Sequence, residues 1–253
     1  MGPFDSLSPL WPAIAAPFIG SFLGTLALRL PRGQRLALDR SRCDACAHPL
    51  GALDLIPVVS WLAALGRCRY CRAPLSIFYP AIELAALGIA LWAGFTLPGD
   101  LLWLGCGLGW CLLALGVIDL RDHLLPDILT LPLIPLGLIA AYVEDPASTG
   151  IHALSAVAGY ATFRLIAFAY RSWRGRDGLG HGDAKLLAAA GAWVSWQGLP
   201  GVVLIGATAS LALVLVHARS GRGIRAEDRI PFGPGSCLGL WLVWLYGPLG
   251  YIG

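Results

Sequence analysis

Leu101-Leu-Trp-Leu-Gly-Cys-Gly-Leu-Gly-Trp-Cys-Leu-Leu-Ala-Leu-Gly-Val-Ile118 runs for eighteen residues without a charge and then meets Asp119. A stretch of this length and character has the size of a membrane-spanning helix. Similar apolar stretches recur at roughly 9–30, 78–97, 101–119, 127–143, 150–171, 184–199, 201–217 and 234–252, which predicts eight spanning helices. Composition agrees: 57% of the 253 residues are hydrophobic and mean hydropathy is +0.70. Only 13% are charged, about half the share usual in soluble domains. The expected fold class is therefore an all-α polytopic membrane protein. Residues 1–30 hold the first transmembrane helix, 31–77 a polar connector and 78–253 the helical bundle. Met1 to Pro12 has no basic residue and only Asp5, so the first apolar stretch reads as a retained anchor.

The basic residues set the expected orientation. All 18 Lys and Arg fall in or near four connectors on one side of this arrangement: Arg29 to Arg72, Arg121, Arg164 to Lys185, and Arg219 to Arg229. The opposite side carries Asp5, Asp100, Glu144 and Asp145. The positive-inside rule puts the basic connectors in the cytoplasm and both termini outside. A net charge of +3 distributed this way serves orientation, so no nucleic-acid partner is expected. Arg164, about two turns inside its helix, is placed to snorkel outward.

Within the long connector, Cys43-Asp-Ala-Cys46 and Cys68-Arg-Tyr-Cys71 form two CxxC pairs. Each offers two thiolates from a tight turn, and together they complete a tetrahedral four-sulfur shell for zinc. Disulfides are disfavoured in the cytoplasm, and four thiolates leave no open coordination position, so the metal is read as structural. A connector this small needs such a staple. Cys106, Cys111 and Cys237 lie in helices and read as packing residues.

Two segments place acids at the membrane edge. One is Val117-Ile-Asp119-Leu-Arg-Asp122-His123-Leu-Leu-Pro126-Asp127; the other is Gly178-Leu-Gly180-His181-Gly182-Asp183-Ala-Lys185. Asp119 ends an apolar helix and Asp183 begins one, at ends expected to share a face and a depth. Ionisable groups there are functional candidates. Two close carboxyl groups share a proton, so one can activate water while the other polarises a scissile carbonyl. Gly180 and Gly182 would allow close approach of a bound peptide. The plainer readings are that Asp183 caps a helix start and that Asp119 and Asp122 are solvated loop residues. Spacing alone does not choose between Asp119 and Asp122. Asp127, after Pro126, reads as a helix-start residue, and His123 and His181 as polar loop residues.

These residues resemble the bacterial type IV prepilin leader peptidase/N-methyltransferases, a GxGD class of aspartic peptidase. The resemblance rests on Gly20-Ser-Phe-Leu-Gly24-Thr-Leu-Ala-Leu-Arg29-Leu-Pro31, on Arg40-Ser-Arg-Cys43 and on the two CxxC pairs. It continues through Ile56-Pro-Val-Val-Ser-Trp61, Tyr79-Pro-Ala-Ile-Glu83 and Ile230-Pro-Phe-Gly-Pro234. The family pattern D-x6-P corresponds to Asp119 and Pro126, and GxGDxK to Gly180 through Lys185. The resemblance therefore implies catalysis by Asp119 and Asp183, with Gly180, Gly182 and Lys185 in support. It implies cleavage of a basic leader from prepilin or pseudopilin precursors at the bacterial inner membrane. Methylation of the new amino terminus with S-adenosylmethionine follows. Arg29 and Glu83 are polar candidates in the part associated with methyl transfer, although anchoring and helix capping also account for them. Gly24 stands where the family commonly carries asparagine.

The rival readings are a non-enzymatic scaffold that docks partners on its zinc knob, and a proton-relaying transporter. The scaffold gives no reason for two acids at matching depth. The transporter lacks a midplane acid and a repeat between halves.

Overall fold

The computed structural model describes residues 10–34, 41–43, 45–175, 180–219 and 231–248. Asp5, Arg40, Gly178, Leu179, Ile230 and the basic residues between Arg219 and Ile230 lie outside them. Among the described residues the regular structure is helical and no strand forms. The chain divides into two compact units, Met1–Trp110 and Cys111–Gly253. The structure thus groups residues 78–110 with the first helix and the connector, whereas the sequence reading placed a boundary between 77 and 78.

In the first unit, α1 (Leu10–Arg29) and α3 (Phe78–Thr96) flank a connector that contains the short helix α2 (Val59–Ala63). α4 (Gly99–Asp122) begins there and passes into the second unit. Small residues let α1 and α3 meet. Ala16, Ala27, Ala86, Ala90 and Ala93 are all fully buried. A Cβ at Gly20 would lie 2.6 Å from the Glu83 backbone, so only glycine fits there. The Trp110 indole N–H, midway along α4, donates to the Ala86 carbonyl of α3 (3.0 Å).

The second unit adds α5 (Asp127–Glu144), α6 (Thr149–Arg174), α7 (His181–Arg219) and α8 (Gly233–Tyr246). As a straight rod, the 39 residues of α7 would extend about 58 Å, nearly twice a bilayer core. Instead the chain reverses at Ser195, whose φ of 55° and ψ of −174° are not helical. Contacts with α8 show the reversal. Ser210, Gly206, Val202 and Gly198 meet Gly235, Ser236, Gly239 and Val243 in turn, so the second leg runs antiparallel to α8. The first leg instead ends beside the far end of α8, where Trp193 stacks edge-on against Trp244 with centroids 5.0 Å apart. At the turn, the Trp193 indole donates to the Leu133 carbonyl (2.8 Å), and a His152 ring nitrogen lies 2.9 Å from the Ala192 carbonyl. Carbonyls at such a helix end need partners of this kind.

Among the described residues, six stretches have the length and apolar character of membrane spans, with the α7 hairpin taken as one of them. The break predicted between 199 and 201 occurs at Ser195, and Pro200 is accommodated inside the second leg. The predicted eighth helix is described as 14 residues, shorter than a crossing requires.

Candidate active site and metal centre

The connector is built from two copies of one turn. Arg42 bridges Pro49 and Arg67 bridges Pro74. Cys43 N–H donates to the His48 carbonyl and Cys68 N–H to the Ala73 carbonyl, at 3.0 and 2.8 Å. Ala47 and Arg72, each following the second cysteine of its pair, both adopt positive φ (57° and 60°). The His48 and Tyr70 rings stack at 3.7 Å and join the copies. The four Sγ atoms lie within 4.8 Å of one another, and Cys43 and Cys71 are 3.8 Å apart. Zinc–sulfur bonds of about 2.3 Å in a tetrahedron require sulfurs about 3.8 Å apart, so the donor set fits this metal. Backbone N–H groups of Cys46 and Ala45 directed at the Cys43 sulfur lower its thiol to about 7, whereas burial and the neighbouring sulfurs raise that of Cys71 to about 11, so the four sulfurs shed their last protons only to a bound cation. Cys43→Ser is expected to abolish stoichiometric zinc in the purified protein, while Cys106→Ser leaves it intact. Metal analysis of the two variants is the check.

In the second unit, the two acids singled out by sequence both lie at helix ends. α4 stops because His123 takes a left-handed conformation (φ 51°) and donates its N–H to the Asp119 carbonyl (3.1 Å). Asp119 is thereby held in the last turn, facing inward and only 7% exposed, whereas Asp122 is exposed. Asp119 Oδ2 accepts the N–H of Gly233, the first residue of α8, at 3.0 Å. Asp183 is the third residue of α7, and its Oδ2 accepts the Gly180 N–H (3.2 Å), one half of a capping box. The two carboxyl groups are near enough to feel each other's charge, and the buried Cys237 sulfur feels both.

The glycines serve these acids directly. A Cβ at Gly233 would sit 2.6 Å from Asp119 Oδ2, and one at Gly180 2.9 Å from Asp183 Oδ2. A Cβ at Gly182 would meet Leu125 at 2.7 Å. Gly180 and Gly182 thus leave room for Asp183 and Leu125. Lys185 Nζ contacts both Asp127 carboxylate oxygens, at 2.6 and 2.7 Å, tying the start of α7 to that of α5. Arg164 Nη1 donates to His181 Nδ1 (2.6 Å) beside the same turn. Since the Lys185–Asp127 pair is partly exposed, it is worth about 1 kcal/mol or less. Lys185→Met should lower the thermal midpoint slightly and change kcat for leader cleavage by less than about fivefold, the factor that about 1 kcal/mol corresponds to.

Arg29 and Glu83 belong to the first unit. Arg29 ends α1, its carbonyl accepting Gln34 N–H at 3.1 Å. Glu83 is buried in α3, where its Oε2 accepts the Val58 N–H (2.7 Å). It fastens the connector to α3. A Cβ at Gly24 would lie 3.0 Å from Ile82, so an asparagine there would require Ile82 to move.

Sequence reading assigned no role to Gly233, read Cys237 as a packing residue and did not pair Asp127 with Lys185. A proline-flanked glycine at a helix start was the available sign for the first. Opposite charges at two helix starts on one expected face were the sign for the last.

Residues 14–96 match the profile of the bacterial peptidase A24 N-terminal domain, and residues 106–215 that of the type IV leader peptidase family. A relative from Pectobacterium carotovorum, named prepilin leader peptidase/N-methyltransferase, is 35% identical over 93% of this chain and 94% of its own length. The chain belongs to the type IV leader peptidase family. Relatives bearing the same name in Burkholderia pseudomallei and Aeromonas hydrophila are 43% and 41% identical. The matches cover 81% and 84% of this family member, and 66% and 73% of those relatives. No solved structure matches this leader peptidase family member. The six long apolar helices among its described residues make it an integral membrane protein.

Proposed function

We propose that this protein cleaves the basic leader of prepilin-like precursors with Asp119 and Asp183 at the cytoplasmic face of the bacterial inner membrane. The observation that carries the reading is that these two carboxyl groups, one at the end of α4 and one at the start of α7, are near enough for the charge of one to act on the other. Two carboxyl groups brought together in the reacting state share a proton. The ionised member takes a proton from water as it attacks the scissile carbonyl, and the protonated member donates to the carbonyl oxygen. Gly233 and Gly180 N–H groups hold one oxygen of each carboxyl, leaving the other for water and substrate.

Zinc bound by Cys43, Cys46, Cys68 and Cys71 holds the connector's two turns together and takes no part in the hydrolysis. The relatives' shared name supports a second activity, amino-terminal methylation with S-adenosylmethionine as donor. Glu83 holds the Val58 N–H through one carboxylate oxygen, a contact that ties the connector to α3. No methyl-transfer step is assigned to it or to Arg29.

Purified protein in lipid vesicles, given a prepilin and no other protein, should release the leader peptide. Absence of cleavage with zinc fully bound would favour the scaffold reading.

A further inference from the structure

α2 is placed against a membrane span, not out in the connector's aqueous part. α3 comprises 19 residues, about 28 Å at 1.5 Å per residue, so nearly its whole length is needed to cross a core of about 30 Å. Glu83 lies five residues past Phe78, about 7 Å along the axis from that end. The Val58 N–H that bonds Glu83 therefore lies near the same depth, and α2 starts at the next residue. The backbone has positive φ at Val58 (60°) and at Leu65 (52°), on either side of α2.

The side chains presented there are apolar. Val59 and Leu62, three apart on one helix face, are exposed, and Leu65 is 85% exposed. Leu53 and Ile77 are exposed as well, Ile77 immediately before α3. Exposed arginines follow the apolar tip at Arg67, Arg69 and Arg72. Apolar side chains at interfacial depth beside cations are the composition of a lipid-seated segment.

We infer that α2 and the following Leu65 turn form an interfacial foot, with Val59, Leu62 and Leu65 in the acyl-chain boundary and Arg67 and Arg72 at anionic headgroups. The foot holds the zinc-binding turns against the membrane surface. The observation it rests on is the depth of the Val58–Glu83 bond, and it stands whether or not the two aspartates hydrolyse peptides.

The test places photoreactive benzoylphenylalanine at Leu62 in the full chain. The protein is reconstituted in vesicles of phosphatidylethanolamine and phosphatidylglycerol, irradiated and analysed by peptide mass spectrometry. The expected product is a phospholipid adduct, enriched in phosphatidylglycerol beyond its share of the vesicle, while the same probe at Tyr70 gives none. Cross-linking to peptides from residues 111–253 would show that protein covers the patch and would overturn the inference. Failure to capture lipid from a folded, zinc-bound variant would do the same. If the Leu62 variant does not accumulate, the probe moves to Leu65, whose outward side chain leaves packing undisturbed.

Discussion

Asp119→Asn and Asp183→Asn are each expected to lower kcat for leader cleavage by at least about 100-fold, and by as much as the ~10⁴-fold supplied by acid–base groups. Zinc content and thermal midpoint should stay near wild type, because the asparagine carbonyl can still accept from Gly233 or Gly180 N–H. The double variant should be no worse than the weaker single variant, since residues that act as a unit are not additive. A single-turnover assay with a purified prepilin decides the matter. Normal cleavage by either variant would remove that residue from the pair, and multiplicative losses in the double variant would mean that the two act separately. Asp122→Asn and Asp127→Asn, on exposed acids near the same helix ends, serve as controls and should retain most activity.

Gly233→Ala is expected to reduce kcat roughly 10- to 100-fold, with KM little changed. The methyl group would lie 2.6 Å from Asp119 Oδ2 and displace the carboxyl from the N–H that orients it. A hydrogen bond to a charged group is worth about 1.5–3 kcal/mol, which sets that range. Gly239→Ala is the comparison. It lies on the same helix and strains packing against Val202 without touching Asp119. Equal losses of stability with a kcat defect only at position 233 would identify positioning of Asp119. If Gly233→Ala alters only thermal stability, the Gly233 contact is packing and the account of Asp119 must change.

The metal centre and the two acids could be read from sequence because each depends on local pattern. CxxC spacing dictates a turn with two thiols, and an acid that interrupts an apolar run is visible in any linear scan. Asp119 and Asp122 could not be separated that way, since burial depends on which face of the last turn points inward. The role of Gly233 was hidden for a similar reason: its partner lies more than a hundred positions earlier, and only the fold brings α8 to α4. Hydropathy located the paired legs of α7 but put their junction several residues late. Ser195-Trp-Gln-Gly-Leu-Pro200 is too weakly polar to mark a reversal sharply. Glu83 was visible as an unexpected carboxylate, but its main partner is a backbone N–H, which leaves no mark in a sequence.

The first leg of α7, His181 to Val194, and its neighbour α8 each have fourteen residues. Their length of about 21 Å falls well short of a hydrocarbon layer of about 30 Å. Both are walled by protein rather than lipid: Leu186 to Trp193 along the leg and Gly239 to Trp241 along α8 are buried. A change of acyl-chain length should therefore reach these two short helices only through the longer, lipid-facing helices around them.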